Sequence, residues 1–354
     1  MAGEFLPGNG FNTYEEQDKV LVGMSGGVDS SVAVRILQQQ GFVVVGAVIR
    51  FSPAHDPAVQ AAKLAAKQLD VQCIVLDAQD LFDVNVVQPF CESYCKGQTP
   101  NPCILCNPGV KFAALLTAAD KLGIQYIATG HYARVETDNS GISRICRAVS
   151  MARDQSYMLY RLEQNVLSRL LLPLGEFEKD DIREMARDMG LTCADAPDSM
   201  EICFIPDGDY ASYIEKRGMQ AKQGHFIAPD GKDLGAHKGV LHYTVGQRKG
   251  LGIALGRPVF IKEILDDGNI QLADACDELV AQIGVEQMVT PAGDAMPAGD
   301  YLVKIRSAAK PAPAHFDGDR TLTFDPAVRA PAPGQSAVFY RDDVVMGGGF
   351  LCRL

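Results

Sequence analysis

The chain has 354 residues, 47% of them hydrophobic and 22% charged, and its net charge is −11. At roughly 100–200 residues per domain, two or three domains are expected, each with ample core material. No run reads as the roughly 20 apolar residues of a membrane span, and Met1 to Lys19 lacks the apolar core of a secretory signal, so a cytoplasmic protein without a membrane partner is expected. The acidity counts against a generic nucleic-acid binder that works by neutralising many phosphates. Ten cysteines in such a chain are expected to be mostly free thiols.

The first eighteen residues are polar and Gly-rich and are expected to be mobile. Lys19 to Met24 reads as a short buried strand, followed by Ser25-Gly-Gly-Val-Asp-Ser-Ser31 and a helical pattern from Val32 to Gln40 that Gly41 stops. Phe42 to Ile49 is a second strand, Pro57 to Leu69 a helix, and Gln72 to Leu76 a third strand. Phe112 to Leu122 is helical and Gln125 to Thr129 is a further strand. Strands alternating with helices imply parallel βαβ units, hence a doubly wound, Rossmann-like α/β domain. Gln164 to Met189 is mostly helical, with interruptions at Pro173 and Gly175. Beyond Pro206 the texture changes. Turns recur at Pro229-Asp-Gly231, Asp266-Asp-Gly-Asn269 and Asp317-Gly-Asp319, and alternating stretches such as Val259 to Ile264 and Tyr301 to Arg306 lie between them. These are hairpin signals, so residues 208–354 read as a small β-rich middle module and a C-terminal β-barrel.

The strongest local signal is Met24-Ser-Gly-Gly-Val-Asp-Ser-Ser31 between a strand and a helix. Gly26 and Gly27 allow a tight turn and close approach of backbone to ligand. The helix that follows presents unpaired N–H groups and the positive end of its dipole. Ser25, Ser30 and Ser31 add hydroxyls. The result is a pyrophosphate cradle, distinct from Walker A because no Gly-Lys-Ser/Thr closes it. Asp29 beside phosphates calls for a cation, and Mg²⁺ would serve. The stretch resembles the PP-loop of the ATP pyrophosphatases, Ser-Gly-Gly-x-Asp-Ser. That likeness implies cleavage of ATP between its α and β phosphates and adenylation of an acceptor.

A second constellation is made of cysteines. Thr99-Pro-Asn-Pro-Cys-Ile-Leu-Cys-Asn107 carries Cys103-x-x-Cys106, and Asp198-Ser-Met-Glu-Ile-Cys-Phe-Ile-Pro206 carries Cys203. Alone, the pair fits a redox couple, half a zinc site or part of a cluster. No second CxxC or spaced His pair completes a zinc site. Cys73, Cys91, Cys95, Cys146, Cys193, Cys276 and Cys352 read as core or surface, with Cys91 and Cys95 at helical spacing. His131 stands at a strand end near the expected nucleotide crevice.

Several motifs then occur in order: Gly23-Met-Ser-Gly-Gly-Val-Asp-Ser30, Thr99-Pro-Asn-Pro102 with Cys106-Asn107, Ala128-Thr-Gly-His-Tyr132, Asp154-Gln-Ser-Tyr157, Ile202-Cys-Phe-Ile205, Gly246-Gln-Arg-Lys-Gly-Leu-Gly252 and Pro333 to Tyr340. Together they resemble the bacterial tRNA-specific 2-thiouridylases from about Lys19 to Leu351. The resemblance implies a mobile segment at 1–18, a PP-loop catalytic domain at 19–207, a central domain at 208–271 and a barrel at 272–354. It implies that ATP is bound by Gly23, Met24, Ser25, Gly26, Gly27, Val28, Asp29 and Ser30, with Ile49 and Gly130 lining the adenosine pocket. The implied substrate is the wobble uridine of the tRNAs for Lys, Glu and Gln, adenylated at its C2 oxygen. Cys203 is implied as the persulfide carrier and Cys106 as the thiol that forms a disulfide with it or attacks earlier. Asn101, Pro102, Cys103, Arg153, Asp154, Gln155, Arg306 and Ser307 fall where the family meets tRNA. A sulfur donor, such as a cysteine desulfurase or relay protein, is implied as a partner, and a monomer is expected.

Departures from the family pattern matter. Cys103 stands where many members carry an Asp that serves as an acid–base group, and a thiol with a pKa of about 8.5 is a poorer substitute. Cys103, Cys106 and Cys203 could instead hold three irons of a [4Fe–4S] cluster, so persulfide and cluster routes both stay open. Arg153 stands where Lys is usual, and Ser307 where Tyr is common. Residues 271–354 hold seven Lys or Arg against eleven Asp or Glu, so contact with tRNA must be local, and Arg248, Lys249, Arg257, Lys262, Lys304, Arg306 and Lys310 are candidates for it. Two other readings compete. A PP-loop ligase acting on a small molecule would explain the acidity and leave Cys106 and Cys203 unexplained. A non-enzymatic iron–sulfur or zinc RNA-binding module would leave the pyrophosphate loop unexplained.

Overall fold

A computed structural model describes residues 18–196, 202–274, 279–329 and 331–354. The expected mobile segment up to residue 17, the Asp198-Ser-Met-Glu201 stretch and Cys276 lie outside the described residues.

The N-terminal half runs β1 (Lys19–Gly23), α1 (Val28–Gln39), β2 (Val43–Arg50), α2 (Asp56–Gln68), β3 (Gln72–Asp77), α3 (Gln79–Phe82), α4 (Gln88–Cys95), α5 (Pro102–Cys106), α6 (Ala113–Leu122) and β4 (Tyr126–Thr129). A hairpin of β5 (Ala133–Thr137) and β6 (Ser143–Arg147) follows, then α7 (Gln164–Leu167), β7 (Leu170–Leu171), α8 (Lys179–Asp188) and α9 (Tyr210–Lys216). The five parallel strands lie in the order β3-β2-β1-β4-β7. The inner strands β1, β2 and β4, largely buried, read as continuous apolar runs, while β3 at the edge is partly exposed. Val20 and Val22 of β1 pack beneath α1, α2 and α8, while Leu21 faces the core built by α4 and α6. Strand order reverses between β1 and β4, and the carboxyl ends at such a reversal are where open α/β sheets bind ligands.

Two helical runs each contain a π-turn, at Asp83–Val87 and at Asn107–Phe112. Both have a proline close by in the helix interior, Pro89 and Pro108, which lacks the N–H of an i→i−4 bond. The second run is continuous from Pro102 to Leu122, with a mean hydropathy of 1.3. By length and composition it matches a membrane span, which the sequence reading did not anticipate. Here it is half buried in the α/β core.

The middle module contains β8 (His225–Ile227), β9 (Asp233–Ala236), β10 (Val259–Ile264) and β11 (Ile270–Asp274), paired in the order β10-β11-β8-β9 over a core of Phe226, Tyr243, Ile261 and Leu272. The C-terminal strands are β12 (Leu279–Val289), β13 (Gly299–Lys304), β14 (Ala312–Phe316), β15 (Thr321–Arg329), β16 (Ser336–Arg341) and β17 (Val344–Cys352). They pair antiparallel in the order β12-β15-β14-β13-β16-β17, and β17 returns to β12 to close a six-stranded barrel. Closure removes both sheet edges. The Asp-Gly turns fall where expected, with Gly231, Gly268 and Gly318 at positive φ.

The barrel is locked to the α/β domain. The β5–β6 hairpin extends the barrel sheet through Val344 and Cys146. Tyr157, fully buried, donates its hydroxyl to the Ser336 carbonyl at 3.0 Å and accepts from the Ser336 N–H at 3.2 Å. Thr99 donates its N–H to the Pro333 carbonyl at 3.0 Å, and the Gln335 amide reaches the Thr99 carbonyl. The barrel thus holds the loop that leads into α5. Replacing Tyr157 by Phe strips both partners from a buried peptide, which costs about 1–3 kcal/mol. Tyr157→Phe is expected to lower the thermal unfolding midpoint measurably; an unchanged midpoint would show that this contact contributes nothing.

Candidate active site

The phosphate end of the site is built at the tips of β1 and β4, where Gly23 pairs with Thr129. Ser25 Oγ lies 3.2 Å from Ser30 Oγ, the Ser25 N–H donates to Ser30 Oγ at 3.1 Å, and Ser31 Oγ donates to the Gly27 carbonyl at 2.9 Å. These bonds shape the loop while the start of α1 carries no side-chain cap, so its terminal N–H groups suit an anion. Gly26 has φ +80° and lies against α2: a Cβ there would come within 2.5 Å of Ala61 Cβ. A Cβ on Gly130 would sit 2.7 Å from the Ser30 nitrogen. The tip of β4 is therefore pressed directly onto the start of α1. Met24 and Ile49 are buried close by.

Asp29 has its own protein cation. Lys179, at the start of α8 and buried, places Nζ 2.7 and 2.8 Å from the two carboxylate oxygens, and the Tyr132 hydroxyl donates to Oδ1 at 2.8 Å. The expectation that Asp29 awaits Mg²⁺ needs revising on this point: its charge is already met, 150 residues along the chain. Among the described residues no three His, Cys, Asp or Glu side chains converge as an ion site. Mg²⁺ fits here as an ion carried on ATP phosphates, its usual mode, and not in a cage of carboxylates. Among the described residues Cys103, Cys106 and Cys203 likewise do not converge as a metal-binding group.

The thiol end lies on α5 and the turn before α9. Asn101 caps α5, its Oδ1 accepting the Cys103 N–H at 3.1 Å, and Pro102 is buried at the first turn. Cys103 and Cys106, three apart, share one helix face. Cys203 is fixed by its successor: Phe204 packs its ring 5.4 Å from Phe82 and 5.3 Å from Phe90. The three thiols act on one another electrostatically, Cys106 feeling both others. Cys106 is buried, while Cys103 and Cys203 are exposed to solvent. Desolvation raises all three above the ordinary thiol value, Cys106 to about 12 and Cys203 to about 11. These shifts favour the thiol over the thiolate.

The two ends meet through His131 and Lys111. His131 follows Gly130. Its Nδ1 is 2.7 Å from Thr129 Oγ1 and its Nε2 is 3.4 Å from Lys111 Nζ. An ammonium only donates, so Nε2 accepts and the proton is on Nδ1. Burial, then the Lys111 charge, lowers the His131 pKa well below its usual value, and the ring is neutral.

The other expected tRNA contacts divide by placement. Arg153 is exposed, and Arg306 and Ser307 are half-buried. Asp154 turns inward: its carboxylate accepts the Ala148 and Ser156 N–H groups at 3.2 Å and the Ser156 hydroxyl at 2.8 Å, and only 3% of the side chain is exposed. Gln155 ties down Tyr132, accepting its N–H at 2.9 Å. Sequence reasoning missed Lys111 and Lys179. A lysine five residues after Cys106 across an interior proline was the available signal for the first; nothing local marked the second.

Comparison with known proteins supplies the family. The chain matches the tRNA methyl transferase HUP domain over residues 18–207, the tRNA methyl transferase PRC-barrel domain over 212–271 and the aminomethyltransferase beta-barrel domain over 284–351. It is 41% identical to the tRNA-specific 2-thiouridylase MnmA of Clostridioides difficile, over 94% of this chain and 98% of that one. It is 42% identical to its namesake in Acetivibrio thermocellus, over 94% and 99%. The chain belongs to the tRNA-specific 2-thiouridylase family. The domain names speak of methyl transfer, yet a PP-loop beside three thiols suits the sulfurtransferase chemistry of the full-length relatives.

Two outcomes are expected. Gly130→Ala drives a methyl group into the start of α1 and should weaken ATP binding at least tenfold by calorimetry, about 1.4 kcal/mol, with the fold intact; unaltered affinity would place the nucleotide elsewhere. Because the Cys203 pKa is raised to about 11, its alkylation by iodoacetamide should quicken about tenfold per pH unit from pH 7 to 10. An ordinary thiol would level off near pH 9, and such a plateau would contradict the burial.

Proposed function

We propose that the protein uses ATP to convert the wobble uridine, position 34, of the Lys, Glu and Gln tRNAs to 2-thiouridine. One observation carries the reading. The nucleotide cradle and the thiols abut at the tip of β4, where Gly130 presses on the PP-loop helix and His131 reaches the lysine that faces the cysteines. A PP-loop alone suits any adenylating ligase, and thiols alone suit a metal or RNA module. Their adjacency suits a reaction that turns an oxygen into a leaving group and replaces it with sulfur.

The uridine O2 attacks the α-phosphorus, the bond to the β-phosphate oxygen breaks, and pyrophosphate leaves with the electron pair. Ser25, Ser30 and the α1 N-terminus hold the phosphates, and Lys179 keeps Asp29 from repelling them. Mg²⁺ carried on the ATP phosphates would supply further neutralising charge beside these groups. A sulfane-sulfur donor of the cysteine desulfurase or relay class loads Cys203 as a persulfide. Its terminal sulfur bonds to C2 and AMP leaves. The Cys106 thiolate then attacks Cys203 Sγ, the S–S bond to the transferred sulfur breaks, and the pair left on that sulfur completes the thiocarbonyl. The resulting Cys106–Cys203 disulfide is reduced by a dithiol. Burial keeps the thiols protonated until substrate arrives, which protects them from stray oxidation. A cytoplasmic monomer, where thiols stay reduced, is the setting that fits this cycle.

Purified protein with ATP, a persulfide donor and unmodified tRNA should form 2-thiouridine at position 34, scored by nucleoside mass spectrometry. Cys203→Ser should abolish product while labelled AMP still attaches to tRNA. Absence of thiolation with every donor, or thiolation at another position, would sink the reading, and wild-type rates in Cys203→Ser would remove that residue from the chemistry.

A further inference from the structure

The three cysteines leave a physical problem. Sulfur must attack as an anion, yet partial desolvation disfavours negative charge at each of the three sulfurs. One basic side chain acts favourably on Cys103, Cys106 and Cys203 alike, and it is Lys111. In a straight α-helix, residues 106 and 111 would point about 140° apart. The π-turn at Asn107–Phe112, with its i→i+5 geometry, brings position 111 back over position 106. Pro108 favours the widening by withholding the bond to Ile104. Asn107, 1% exposed, pins the turn by donating to the Met158 carbonyl at 2.9 Å. The ammonium is then aimed by the neutral His131 ring, 3.4 Å away, which itself rests on Thr129 and, 6.0 Å between centroids, on Phe112.

We propose that Lys111 is a catalytic residue of the sulfur-transfer half-reaction: its ammonium, oriented by His131, contacts the terminal persulfide sulfur on Cys203 and favours its loss of a proton, so that the sulfur is present as the anion that attacks C2 while AMP departs with the C–O electron pair. His131 and Thr129 are positioning residues that act through Lys111. The inference rests on the thiolation reading above. It divides the work of the site between two lysines, Lys179 serving the phosphate end and Lys111 the sulfur end. Loss of Lys111 should therefore separate the two half-reactions.

The test uses full-length protein with Lys111→Met and Lys111→Arg. Single-turnover thiolation should fall about 100-fold or more in Lys111→Met, the usual scale for losing one charge-stabilising group. Pyrophosphate exchange and sulfane-sulfur loading of Cys203 should persist, so that adenylated tRNA accumulates. Lys111→Arg, which retains the charge, should recover to within about tenfold of wild type. Undiminished thiolation in Lys111→Met would overturn the proposal. A parallel loss of adenylation would also overturn it, because it would assign the lysine to the nucleotide end. If wild-type protein itself makes adenylated tRNA but no thiouridine with any donor, it is the thiolation reading that fails, and that result is distinct from either outcome for the lysine.

Discussion

Pro108 cannot donate a backbone hydrogen bond to Ile104, and the helix from Pro102 to Leu122 widens into a π-turn to absorb that loss. Much of the site follows from this one irregularity. The helix is the most apolar long element among the described residues and packs against the parallel sheet, where Leu115 closes on Gly23. It therefore cannot rotate freely to present its cysteines. The widened turn lets an α-helical start present Cys103 and Cys106 while the next turn swings Lys111 toward the same thiols. The neighbouring run repeats the device at Asp83–Val87, and Asn85 there packs opposite Gly109. Two proline-associated π-turns, side by side, form the wall behind the thiols.

The phosphate end solves the opposite electrostatic problem. An uncompensated Asp29 would repel a nucleotide, and a strong structural metal site would compete with the substrate for the ion. Lys179 and Tyr132 satisfy the carboxylate internally, and Tyr132 is in turn held by Gln155. The chain of contacts runs on to Ser156, whose hydroxyl lies 3.1 Å from that of Tyr340 in the barrel. Nucleotide loop and barrel are thus joined by buried hydrogen bonds, which suits an enzyme that must align a nucleic acid held by one domain with an ATP held by another.

What could be read from the sequence was what short-range periodicity encodes. The apolar runs at Val20, Val44 and Ile127 read as parallel strands, the Ser25–Ser31 segment as a turn from strand into helix, and the Asp-Gly pairs as hairpin turns, and the structure has all three. The β5–β6 hairpin escaped notice because Glu136, Asp138 and Ser140 give it the polarity of a loop, although its two strands pair along their full length and β6 also joins β17. The helical reading of Gln164 to Met189 was too coarse for the two-residue strand at Leu170–Leu171, whose existence depends on β4. Asp154 resembled a surface contact in sequence, whereas three local hydrogen bonds draw it inward. Lys179 meets Asp29 across 150 residues, and no local pattern reports such a pair. Lys111 was hidden for a different reason: counting by 3.6 residues places it on the wrong face, and only the π-turn corrects the phase.

The acidity of the chain takes on a different meaning in this light. A net charge of −11 counts against holding RNA by a broad phosphate-binding face. Chemistry on a single splayed base does not need one, because the base is read in a pocket and few phosphates must be neutralised. The basic groups that the reaction requires are spent inside the site, on Asp29 and on the thiols, and Lys304 is buried beside Asp154. Exposed cations such as Arg153 then act against a repulsive background. A net negative charge weakens non-specific phosphate contact, so recognition of an RNA partner would rest on a few local contacts, and the acidity that first counted against a nucleic-acid partner is consistent with that mode.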